Sequence, residues 1–104
     1  YLDRLTDWYP NNPIFNMKNA EALLLSGQIE KANKYVDFLK KYTSGFYPIA
    51  YHTFKGMGYE KGFQNDNAAQ KEYLTALKIP HDAQYTKEYH AMAYAGLARN
   101  INVF

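Results

Sequence analysis

The sequence contains no cysteine, which removes disulfide staples, cysteine-ligated zinc, iron–sulfur clusters and a thiol nucleophile together. It also lacks a long apolar run. The densest, Ala22-Leu23-Leu24-Leu25, stops at Ser26-Gly27, far short of the roughly 20 residues that cross a bilayer, so no membrane span is expected. Neither sign of charge dominates: twelve Lys and Arg against ten Asp and Glu leave a net +2, too little for a stripe that neutralises several phosphates. Nucleic acid is therefore not an expected partner. There is no His-Glu-x-x-His pair, no Gly-x-Ser-x-Gly elbow and no glycine-rich phosphate loop, and no enzyme activity or cofactor is expected. The chain opens at Tyr1 without a basic-then-apolar leader, which reads as a processed protein or a piece of a longer one and leaves the compartment open.

What is present is a chain of 104 residues, 47% hydrophobic and 17% aromatic, a composition that builds one soluble domain burying roughly two-thirds of its unfolded surface. It is internally repetitive. Tyr1-Leu2-Asp3-Arg4-Leu5 aligns with Tyr35-Val36-Asp37-Phe38-Leu39 at a spacing of 34, and Tyr35 aligns with Tyr73 at 38. Between these segments lies a second type, in which Pro13 and Pro48 are 35 apart, Gly27 and Gly62 are 35 apart, and His52 and His90 are 38 apart. The connection between the two types stays nearly constant, so the extra residues of the longer unit fall in the polar stretch Gly62 to Asp66.

Both segment types read as helices. Ile29, Ala32, Val36 and Leu39 recur at steps of 3, 4 and 3 and form one apolar stripe on a helix over 28–42. The counterpart stripe is Ala69, Tyr73 and Ala76, behind an expected capping box at Asn67 and Gln70 and ending at Ile79-Pro80. Asn12-Pro13 and Gly27 bracket a helix over 13–26. Another runs from about Pro48 to Gly62, where Gly56 and Gly58 imply close helix contact. The last spans 83–99 with Asp82 as its cap and a stripe of Tyr85, Tyr89, Met92 and Gly96. With an end helix over 1–9 that carries Leu2, Leu5 and Trp8, the expected architecture is all-α, made of antiparallel helix hairpins.

The residues that recur, Asn12-Pro13 through Ala20, Gly27, Ala32 and Leu39, then Pro48 through Gly62, Ala69, Tyr73 and Ala76, and Thr86 through Ala93, resemble the tetratricopeptide repeat family. The longer second unit also resembles the related Sel1-like subtype. The resemblance implies a short right-handed α-solenoid with repeats over 13–42 and 48–79, followed by the first helix of a further repeat over 83–100. It implies a concave wall built by the first helix of each hairpin, with Met17, His52 and His90 in one row, Glu21, Gly56 and Tyr94 in the next, and Leu24, Tyr59 and Leu97 in a third. The expected function is non-enzymatic binding of a protein or peptide in that groove. One alternative is a glycan or small ligand stacked on Tyr59 and Tyr94; another is a structural segment of a larger chain, with self-association through incomplete end repeats.

The remaining candidates have simpler readings. His52 and His90 occupy equivalent positions, yet nothing supplies the further ligands that a metal needs, so no metal site is expected. His81-Asp82 reads as a turn, and Glu21 and Glu60 have no spacing that pairs them for acid–base work. Lys31, Lys34, Lys40 and Lys41 interleave with Glu30 and Asp37 as a solvated face. Tyr35, Tyr51, Tyr73 and Tyr89 are assigned to packing.

Overall fold

The computed structural model describes residues 12–43, 45–80 and 86–101. Among these residues there is no strand, and five helices follow one another: α1 (Pro13–Leu25), α2 (Ile29–Leu39), α3 (Tyr47–Lys61), α4 (Asp66–Leu77) and α5 (Thr86–Ile101). The expected end helix over 1–9 and the His81-Asp82 turn lie outside the described residues.

The local signals set the helix ends. Asn12 Oδ1 accepts from the backbone N–H groups of Ile14 and Phe15 at 2.9 and 3.1 Å, which satisfies two of the donors that a helix start leaves open. At the other end of α1, Gly27 takes φ +82°, and the N–H groups of Gly27 and Gln28 donate back to the carbonyls of Leu24 and Leu23. That reversal is the Schellman arrangement, and it needs a residue free to adopt a left-handed conformation. The expected capping box of α4 is corrected by two residues. Asn65, not Asn67, caps the helix, its Oδ1 accepting from Ala68 N at 3.1 Å.

Two helices bury the stripes that their sequences spell out: Ile29, Ala32, Val36 and Leu39 on α2, and Ala69, Tyr73 and Ala76 on α4. The others bury more of their circumference. On α3 the buried residues are Ile49, Ala50, Thr53, Phe54, Gly56, Met57 and Gly58, because this helix packs against all four others. Contacts run between chain neighbours and between alternate helices α1 and α3, and α3 and α5; among the described residues α2 does not meet α4 and the backbones of α1 and α5 do not meet.

At the centre, Tyr73 of α4 inserts its fully buried ring between α3 and α5. A Cβ added to Gly56 of α3 would lie 2.6 Å from Tyr73 Cε1, and one added to Gly96 of α5 would fall inside contact with Cζ and Cε2. The two glycines thus form the slot that admits the ring. Beside it, Phe54 of α3 meets Tyr89 of α5 edge-on, with ring centroids 5.6 Å apart at 89°.

Substituting alanine at each glycine tests this slot. Gly→Ala inside a helix gains about 1 kcal/mol in propensity, whereas forcing a methyl against a confined ring costs about 1–3 kcal/mol. Gly56→Ala and Gly96→Ala are therefore expected to lower the denaturation midpoint. Gly58→Ala, whose Cβ would lie an ordinary 3.9 Å from Ile29 Cγ2, is expected to hold or raise it. Urea unfolding followed by circular dichroism distinguishes the two behaviours.

Candidate functional site: the face of α1, α3 and α5

Helix α3 packs on both α1 and α5, and the face over α3 between these two helices is called the trough. Near the C-terminal end of α1 the trough opens into a cleft of about 220 Å³ lined by Leu25, Met57, Lys61, Met92, Ala95 and Arg99. That volume is below the roughly 300–1,000 Å³ of small-molecule sites and suits an apolar side chain better than a cofactor. Leu25 is 61% exposed at its edge, an apolar residue the fold leaves uncovered.

The two ends of the trough differ in how their charges are held. At the cleft end, Glu60 of α3 receives Arg99 Nε at 2.8 Å and Nη2 at 2.9 Å, and the Tyr73 hydroxyl donates to its Oε1 at 2.8 Å. One carboxylate thus ties α3, α4 and α5 together. Burial pushes the Glu60 carboxyl up, but the hydrogen bonds from Arg99 and Tyr73 and the nearby charges of Arg99 and Lys61 outweigh it and hold the group below its ordinary range. Burial and the bond to Glu60 push the Tyr73 hydroxyl well up. The bond to Glu60 likewise raises the Arg99 guanidinium.

At the other end, Lys18 Nζ of α1 stands 4.0 Å from Glu88 Oε1 of α5, across the trough, with both side chains partly exposed. Glu21, one turn along α1, lies beside this pair. Its carboxyl is raised, first by burial, with Lys18 opposing and Glu88 adding to the shift. Its Oε1 is buried and accepts no hydrogen bond.

The nine positions expected on the inner wall are distributed differently. Met17, Leu24, Gly56 and Leu97 are buried. Of their chain neighbours, Lys18 and Leu25 reach solvent, Met57 is itself buried at the floor of the cleft, and Ala95 lines the cleft next to the exposed Tyr94. One residue along a helix is 100° around it, so a register one residue off turns a wall position into a core position. His52 points to α4, where its Nδ1 lies 2.8 Å from Glu72 Oε1. Tyr59 is half-buried, 6.2 Å from the Phe63 ring, with Lys55 Nζ 5.9 Å from its own ring. It belongs with Tyr51 and Lys55 to a row of α3 turned toward the gap between α2 and α4: burial raises the Tyr51 hydroxyl, Lys55 opposes the shift, and Asp37 of α2 and Glu72 of α4 add to it. His90 is half-buried, with Nε2 unbonded and shielded from water. Of the nine, Glu21 lies beside the cross-trough charges.

Sequence reasoning missed Lys18, Leu25, Met57, Met92, Ala95 and Arg99. One signal was available at Leu25: three consecutive leucines span 200° of a helix, so one of them has to leave the core. Comparison with protein-family models, curated proteins and solved structures finds no match. No helix among the described residues is long and apolar enough to cross a membrane.

The Glu60 clamp has a pH signature. Because the folded carboxyl is held below its ordinary range, its stabilisation is complete above the unfolded value and is lost as pH falls through the folded one. Glu60→Gln is expected to lower stability at pH 7 by about 2 kcal/mol, the scale of hydrogen bonds to a charged group. The difference from the unaltered chain should shrink toward pH 3. Thermal melts of both proteins across pH 3–7 check the convergence.

Proposed function

We propose that this chain is a non-enzymatic interaction module of stacked helix hairpins, similar to the tetratricopeptide kind, that takes a peptide or a partner helix along the face of α1, α3 and α5. The cleft carries the reading: an open depression floored by Met57 and Met92 and edged by an exposed leucine, with charged groups at both ends. Such a depression suits one apolar anchor of a longer segment.

The packing order supports the stacked arrangement. The hairpin contact of α1 with α2 recurs as α3 with α4, the contact of α2 with α3 recurs as α4 with α5, and that of α1 with α3 recurs as α3 with α5. Repetition of one contact set along the chain is the property of a repeat stack, in which each unit buries its apolar face only against its neighbours. The trough then follows from placing first helices side by side while second helices stay on the far side.

Selection of random displayed peptides on the protein, followed by calorimetry of the winners, tests the reading. Leu25→Ser is expected to weaken binding about tenfold, equivalent to about 1.4 kcal/mol. Leu74→Ser, which removes another exposed apolar residue from the outward face of α4, is expected to change it by less than about twofold. Equal affinity of Leu25→Ser and the unaltered chain for every selected peptide rejects the cleft as the site.

A further inference from the structure

The cleft at Leu25 has an apolar floor and a cationic rim. Met57 and Met92 floor it, and among the described residues Lys61 and Arg99 are the only charged groups that line it. Each cation stands one helical turn beyond an apolar lining residue, Lys61 four residues after Met57 on α3 and Arg99 four after Ala95 on α5. A single carboxylate, Glu60, answers this pair from outside the cleft, with its side chain only 14% exposed. Arg99 takes it in two-point geometry at 2.8 and 2.9 Å. Lys61 contributes to the field at Glu60 but is exposed, and among the described residues it makes no ion pair or hydrogen bond. The rim thus carries one positive charge more than Glu60 balances.

Resting on the groove reading above, we infer that the segment bound here carries a glutamate or aspartate side chain set against Lys61, about one helical turn from the apolar residue that enters the cleft at Leu25, Met57 and Met92. A basic residue at that place would add a third cation to the rim. An apolar one would cover the Lys61 ammonium and strip its water without offering an acceptor. A carboxylate supplies both the acceptor and the missing charge. The spacing follows from α3 and α5. Four residues are about 6 Å along a helix axis, so the acid and the anchor of the partner stand about one turn apart in a helix, or about two residues apart in an extended chain. Because Lys61 is exposed, the pair sets which residue is preferred more than it sets total affinity.

The peptides selected on the unaltered chain provide the probe. The inference expects Glu or Asp at that fixed spacing from the apolar anchor, and about three- to fivefold weaker binding when glutamine replaces the glutamate, the scale of an exposed ion pair. The preference should fade as salt is raised from about 0.01 M to about 1 M. Lys61→Gln should abolish the preference for glutamate over glutamine. That variant also removes a cation from the last turn of α3 and so moves the thermal midpoint by up to a few degrees, but a merely structural Lys61 would change the binding of both peptides equally. Lys61→Glu should favour the peptide with lysine at the same place. If glutamine binds as well as glutamate on the unaltered chain, if basic residues are selected there, if the preference survives in Lys61→Gln, or if it belongs to a free C-terminal carboxylate and is lost on amidation, the inference falls while the cleft stands, provided Leu25→Ser still weakens binding. Binding indifferent to Leu25 overturns both.

Discussion

The arrangement of the last three helices depends on one aromatic ring occupying a slot made by two glycines. Tyr73 enters from α4 between Gly56 of α3 and Gly96 of α5, and neither glycine has room for a methyl group while the ring is there. Because the ring is fully buried, its hydroxyl needs a partner, and Glu60 accepts from it at 2.8 Å. A carboxylate brought into that position needs a counter-charge, which Arg99 supplies in two-point geometry. The sequence of needs runs from steric fit to polar satisfaction to charge balance, and it crosses three helices. Its result for the trough is that α5 is fixed against α3, with Met92 and Ala95 set opposite Leu25 and Met57.

The same chain treats charge in opposite ways at the two ends of that trough. Glu60 is fully engaged, so Arg99 lines the cleft with its charge already answered from within the molecule. Glu21 is enclosed enough to lose water at one oxygen and is left without a donor.

The helices differ in how much of their burial could be read from the residues. On α2 and α4 the stripes Ile29-Ala32-Val36-Leu39 and Ala69-Tyr73-Ala76 are the buried sets. On α3 the apolar residues are spread around the helix, and Tyr51, Lys55 and Tyr59 form a second half-buried row turned toward the gap between α2 and α4. The repeat period places Leu24 on the expected wall, whereas in the fold Leu24 is buried and its neighbour Leu25 is exposed at the cleft. His52 was legible as a polar residue on a first-type helix, but its partner Glu72 is 20 residues away, and no local rule joins them.

By itself the sequence determined the helical class, the hairpin order, the cap at Asn12, the left-handed turn at Gly27 and the buried faces of α2 and α4. Each of these depends on residues within about two turns of one another, where propensity, capping and periodicity act directly. Only the tertiary structure decided which side of α3 stays open, that Tyr73 is held between Gly56 and Gly96, that Glu60 joins three helices, and that Glu21 is left dry beside Lys18 and Glu88. The reason is geometric. A helix packed on several sides buries residues around most of its circumference, so its sequence no longer marks the one face that its neighbours leave uncovered.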